Sequence, residues 1–164
     1  MDEGASAEPT SEPADLTGLI SADGIDTVLI GSSVAALGAE WGFTPNGSCR
    51  ASFFDAQGAH LFVLSDISGP EGTVQEVHIS AWGEGVTASP FATAEGIALG
   101  SSLAEVIVAY PDGELVESLV SVSSSNAYVI NRDTAPVTFQ ILDETQTVDA
   151  IAVGTDHVDS EYCG

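Results

Sequence analysis

Residues 95–111 read EGIALGSSLAEVIVAYP, and residues 23–42 read DGIDTVLIGSSVAALGAEWG. The two stretches share a Gly-Ser-Ser triplet, at 31–33 and at 100–102, and each continues with apolar residues at helical spacing. Further along the chain, TVQEVHI at 73–79 aligns with TVDAIAV at 147–153. Because the similar segments occur in the same order, the sequence predicts two tandem units, residues 21–90 and 91–164.

The second unit contains a helix signal with a defined start and end. Ser102 and Glu105 have the spacing of a capping box, in which each side chain accepts a hydrogen bond from a backbone N–H of the first turn. Pro111 ends the helix, and in the first unit Ala36 stands where the capping glutamate is expected. Helices this short need a sheet to pack on. The apolar stripes predicted to face that sheet are Leu103, Val106, Ile107 and Tyr110, and in the first unit Val34, Leu37 and Trp41.

Each helix signal is followed by strand signals. Val77 and Ile79 fall on one face of a strand, as do Ile151 and Val153, while Glu76, His78 and Ser80 point to the other face. The turn-rich stretches 55–58 and 131–134 favour hairpins. The predicted fold class is therefore α+β, with two tandem units that each combine a short helix and an antiparallel β-meander. The helices are expected on one face of the sheet.

The decapeptide IALGSSLAEV at 97–106, followed by Tyr110 and Pro111, resembles the opening motif of small exported repeats of the β-lactamase-inhibitor-protein-like and SmpA/OmlA-like groups. The resemblance implies a short helix paired with an antiparallel sheet. In the inhibitors it also implies two units in tandem and protein binding through the exposed sheet face. Ala36 departs from the motif in the first unit.

Charge and composition exclude several classes of function. The chain has 164 residues, 44% of them hydrophobic, and a net charge of −23 with only two basic residues, Arg50 and Arg132. Attraction to nucleic-acid phosphates is excluded by this charge, so no nucleic-acid partner is expected. No apolar run has the length of a membrane span, and no signal peptide is expected in this chain. Residues 1–20 are predicted to be a disordered acidic Pro/Ala/Ser linker.

The two cysteines, Cys49 and Cys163, favour an oxidising compartment. An exposed free thiol near a chain end is unfavourable, and two is the smallest even number, so we predict a Cys49–Cys163 disulfide. Persistent disulfides indicate export. Together with the linker-like start, this predicts a secreted or cell-surface bacterial protein, with a lipid anchor upstream of residue 1 left open.

Sequence motifs of catalysis and of cofactor binding are missing from the chain. It has no nucleophile elbow, phosphate-binding loop, dinucleotide fingerprint, zinc-protease helix or paired-cysteine motif. We therefore expect no catalytic residues, no cofactor and no metal ligands, and a protein that is not an enzyme. Calcium binding by the acidic pair Asp143 and Glu144, or by the acidic residues near the C-terminus, is left open.

Two classes of function remain. The first is a non-enzymatic, inhibitor-like module that binds a protein partner through an exposed sheet face, because aromatic residues lie on or near the strands and aromatics are enriched in binding hot spots. The candidate partner-binding face consists of Glu76, His78, Ser80 and Trp82. The alternatives are a structural envelope lipoprotein without a specific ligand and an acidic mimic of nucleic acid.

Overall fold

Antiparallel strands dominate the structure, which is a computed structural model. It describes residues 18–41, 44–45, 51–56, 59–67, 70–80, 90–117 and 125–154. Within these ranges it does not describe the side chains of 38–41, 44–45, 51–56, 59–60 and 125. In the described part of the chain, the helices are α1 (Val34–Trp41) and α2 (Leu103–Ala109). The twelve strands are β1 (Leu19–Ser21), β2 (Gly24–Ile25), β3 (Val28–Leu29), β4 (Thr44–Pro45), β5 (Ala51–Ala56), β6 (Ala59–Ser65), β7 (Val74–Ser80), β8 (Ala92–Thr93), β9 (Glu114–Glu117), β10 (Ser125–Ile130), β11 (Val137–Leu142) and β12 (Val148–Gly154).

Eight strands form one antiparallel sheet in the order β4-β5-β6-β7-β12-β11-β10-β9. Hairpins join β5 to β6 and β10 to β11, as the turn-rich stretches predicted. The central pairing is between β7 and β12, with Ile79 opposite Ile151 and Val77 opposite Val153. The last strands of the two runs β4–β7 and β9–β12 therefore meet in the middle of the sheet.

The remaining four strands form a second, small sheet in the order β3-β2-β1-β8. Its strands have two or three residues each, and β1 pairs with β8 in parallel. Strands this short show no alternation of their own, which is why the sequence pattern did not predict them. Because β8 lies within 91–164, the small sheet combines residues from both of the predicted units.

The predicted fold class is therefore wrong. Instead of an α+β arrangement of two units that each carry a helix and a β-meander, the described residues form a mostly β protein with two sheets and two helices of eight and seven residues. The helix signals were correctly located, but they account for little of the chain. The division into units at 21–90 and 91–164 stays a prediction, and the linker at 1–20 lies mainly outside the described residues.

One continuous core joins the two sheets and the helices. Its members from the large sheet include Val77, Ile79, Ile151 and Val153, all 0% exposed. The helical stripe contributes Val34, Leu37, Val106 and Tyr110, and the small sheet contributes Ile20, Ile25 and Val28. Ile107, which the stripe predicted to be buried, is 43% exposed because the helix buries only a narrow face. The side chain of Trp41 is outside the description.

Both helices begin with a hydrogen bond to the turn that precedes a central strand of the large sheet, β7 for α1 and β12 for α2. Before α1, the Val34 N–H donates to the Gly72 carbonyl at 2.9 Å; before α2, the Leu103 N–H donates to the Gln146 carbonyl at 2.8 Å. The capping box at Ser102 and Glu105 is confirmed. Bonds from the Ser102 N–H and hydroxyl hold the pKa of Glu105 below its usual value. No helix in the described ranges is long and apolar enough to cross a membrane.

Candidate functional site

Three of the four residues of the predicted partner-binding face lie on β7. Glu76, His78 and Ser80 alternate along this strand on the face opposite Val77 and Ile79, as the pattern predicted. Trp82 lies outside the described residues, so its exposure stays a prediction. Because Glu76 is 2% exposed, it offers a partner little of its own surface.

Neighbouring strands account for the burial of Glu76. Its cross-strand neighbours are Leu64 on β6 and Gly154 on β12, and Leu64 is itself 6% exposed. Gly154 lies so close that a Cβ there would be 2.6 Å from the Glu76 Cα. The carboxylate hydrogen bonds to the Nε2 of His78, whose ring makes an edge contact with Phe62 at 5.4 Å between centroids. The sheet thus holds an oriented carboxylate–imidazole pair.

Among the residues whose side chains the structure describes, no third group completes a nucleophile–base arrangement with this pair. A nucleophile and its base need to be within hydrogen-bond reach, and no hydrogen bond joins Ser80 to His78, although the structure describes both residues. Within the described part of the chain, His, Cys, Asp and Glu residues form no group of three that could hold a metal ion.

A second polar cluster surrounds Tyr110, where α2 ends. The Tyr110 hydroxyl donates to Glu95 at 2.5 Å, and the Arg132 guanidinium lies over the ring, 5.6 Å from its centroid. Arg132 also lies 3.6 Å from Asp112. Burial, followed by the hydrogen bond to Glu95, raises the pKa of Tyr110 to about 12. A cavity of about 430 Å³ opens here between the small sheet and the β10–β11 hairpin.

The structure places exposed apolar side chains where the sequence analysis assigned no site. Val108 on α2 is 83% exposed, and Leu115 and Val116 on β9 are 50% and 36% exposed. Beside α2 lies a cavity of about 450 Å³ lined by Val108, with Glu95 and Glu105 at its wall. The sequence signal for this surface was the unbroken apolar run VIVA at 106–109, which is wider than one buried helical stripe.

Neither cysteine of the predicted disulfide is described. Cys49 and Cys163 both fall outside the described residues, so their pairing stays a prediction.

Comparison with known proteins identifies a shared fold and no family. No protein-family model and no curated protein matches the chain. A DUF4309 family protein, YjgB, from Bacillus subtilis has a similar structure, with a TM-score of 0.57 and 16% identity over 80% of this chain and 84% of that one. At this identity the likeness establishes the fold alone.

Two weaker structural matches are described as exported proteins. They are a cysteine-rich secretory protein from Staphylococcus aureus, with a TM-score of 0.46 and 14% identity, and an extracellular protein containing an SCP domain from Bacillus anthracis, with a TM-score of 0.47 and 12% identity. Each match covers 77% of this chain and 44% of the other. None of the three proteins is described as inhibitor-like or SmpA/OmlA-like, so that resemblance stays a prediction.

Proposed function

We propose that the protein is a non-enzymatic module that acts outside the bacterial cytoplasm and binds a protein partner through residues 107–116. The observation that carries this proposal is the distribution of exposed apolar side chains. Of the seven large hydrophobic residues that are exposed in the described parts of the chain, four lie in this ten-residue segment: Ile107, Val108, Leu115 and Val116.

These four exposed apolar side chains lie within ten residues of sequence, on α2 and on β9, and this concentration favours a binding role. Single exposed hydrophobic residues are ordinary on a protein surface, but neighbouring ones mark interaction sites. The 83% exposure of Val108 is the extreme case, because an aliphatic side chain on a short helix gains nothing from full contact with water. A partner that covers it would recover this hydrophobic free energy.

The two cysteines and the composition of residues 1–17 support the proposed compartment. A disulfide between Cys49 and Cys163 would persist only in an oxidising environment. The first seventeen residues contain two prolines and five acidic residues, a composition typical of a spacer that leads to a folded domain. A secreted or lipid-anchored protein fits both features.

Matched serine substitutions test the binding surface. Val108→Ser and Leu115→Ser remove apolar area from residues 107–116, and Leu29→Ser removes it from an exposed position on β3. We expect chemical cross-linking in the extracytoplasmic fraction to recover a partner with wild type and Leu29→Ser. Recovery should fall about tenfold with either of the other variants, a typical hot-spot effect. Equal recovery by all four proteins, or no partner with wild type, would contradict the proposal.

A further inference from the structure

Strand β9 is the outermost described strand at one end of the large sheet. Its described partner is β10, with Leu115 opposite Tyr128 and Glu114 opposite Val129. All four residues of β9 are exposed, in contrast to the central strands β7 and β12. An edge strand presents unpaired backbone N–H and C=O groups, which form a template for one more strand.

The sequence of this edge, Glu114-Leu115-Val116-Glu117, has a symmetric charge pattern. Two apolar residues are enclosed by a glutamate at each end. Because side chains alternate between the faces, each face of β9 presents one glutamate and one aliphatic residue. An added strand would thus meet one carboxylate and one apolar side chain on each face.

This pattern disfavours a second copy of the chain as the occupant. Full antiparallel pairing of two β9 strands would place Glu114 of each copy opposite Glu117 of the other. Like charges directly opposite are destabilising, and each copy also carries a net charge of −23. Registers that avoid the glutamate pairs reduce the pairing to three residues.

We propose that β9 accepts an extended segment of the partner protein as an added antiparallel strand, and that this segment carries Lys or Arg on both sides of two apolar residues. The inference rests on the proposed function and specifies the partner's chemistry. Main-chain hydrogen bonds would give such a strand its affinity, and the cations opposite Glu114 and Glu117 its specificity.

Three hairpin peptides test the strand pairing. Each is closed by a disulfide so that little ordering entropy is lost on binding. In each hairpin, the strand designed to pair with β9 carries Lys-Val-Val-Lys, Glu-Val-Val-Glu or Lys-Val-Pro-Lys. The third peptide has the same charge as the first but lacks one backbone N–H. In ¹⁵N-labelled protein at 0.15 M NaCl, we expect the first peptide to shift and protect amides of residues 114–117. It should bind about tenfold more tightly than the other two.

Variants of the protein in which two glutamates are replaced by lysines test whether the charge preference belongs to β9. Glu114→Lys/Glu117→Lys should prefer the Glu-Val-Val-Glu hairpin. Glu71→Lys/Glu144→Lys, which changes two exposed acidic residues elsewhere and alters the net charge equally, should keep the wild-type preference.

Each contrary result overturns the inference in a different way. Equal binding of the two lysine hairpins, or a reversed preference in the Glu71/Glu144 variant, would show diffuse electrostatic attraction. Protection of β9 amides that rises with protein concentration would show a second copy as the occupant. Absence of peptide binding, with partner recovery still sensitive to Val108→Ser, would refute the added strand while the proposed function stands.

Discussion

Tyr110, the residue that caps the C-terminal end of α2, contacts several parts of the molecule. Its backbone N–H closes the helix onto Val106, and its carbonyl accepts a hydrogen bond from the Tyr128 hydroxyl at 2.5 Å. Its ring stacks on Phe139 at 5.6 Å between centroids. Together with the Glu95 and Arg132 contacts, these bonds let one residue connect α2 to the large sheet and to the segment after β8.

The hydroxyl of Tyr110 should make stability pH-dependent in the alkaline range. Because its pKa is about 12 when folded and about 10 in an unfolded chain, the folded state keeps a proton that the unfolded state loses between these values. Stability from this group is complete below pH 10 and is lost as pH rises through 12. Urea unfolding from pH 9 to 12 should show a shallower decline for Tyr110→Phe than for wild type. A Tyr128→Phe control keeps Tyr110 and should retain its part of the slope; identical slopes for wild type and Tyr110→Phe would contradict the assignment.

The sequence predicted the face of Glu76 but not its burial. Alternation along one strand assigns a side chain to a face of the sheet. How much of that face is covered depends on the neighbouring strands, here Leu64 and Gly154, and a single sequence does not reveal which strands are neighbours. For the same reason the sequence did not reveal that Val108 and all four residues of β9 are exposed.

Among the elements, those with a local signal were predicted and those without one were missed. The capping box fixes the start of α2 within its own first turn, and alternation identifies β7 and β12. The two-residue strands of the small sheet owe their existence to tertiary hydrogen bonds, such as the Ala92 N–H to the Gly18 carbonyl. Such contacts have no counterpart in local sequence, and the fold class was misjudged on that account.

Close packing between β12 and β7 makes Gly154 a sensitive position. Its φ is +144°, and a Cβ there would lie 2.5 Å from the Gln75 carbonyl oxygen. Gly154→Ala should lower the free energy of unfolding by about 2–4 kcal/mol, because the added Cβ overpacks the strand pair and the backbone conformation is strained.

Gly100→Ala provides the control, since its φ is +88° but nothing lies within 4 Å of the added atom. There we expect about 1 kcal/mol. Urea denaturation measures both, and equal losses would mean that the strand pair can move apart.

For the molecule as a whole, net charge is the dominant electrostatic property. Twenty-five acidic residues face two arginines, and one of these, Arg132, lies 3.6 Å from Asp112. Repulsion among uncompensated charges disfavours the compact state, and salt screens it over about 10 Å at 0.1 M.

The melting temperature should therefore rise with NaCl up to a few tenths molar, as scanning calorimetry would measure. The Glu71→Lys/Glu144→Lys variant, which carries four fewer net negative charges, should respond less steeply. A flat curve for wild type would mean that the acidic groups are too far apart to interact. A much larger rise with CaCl₂ than with MgCl₂ at equal ionic strength would instead indicate a specific calcium site.

The pairing of β7 with β12 also constrains the order in which the parts of the molecule fold. Ile79 and Ile151 are opposite each other in the sheet but 72 residues apart in the chain, so this contact forms late, after the local hairpins. Until β12 has been synthesised and docked, β7 is an open edge of the β4-β5-β6-β7 half of the large sheet. Two complete chains in which β12 has not yet docked can each place it on the β7 edge of the other, exchanging their C-terminal halves. The strand pair that joins the two halves of the sheet is thus also a site at which domain swapping can occur.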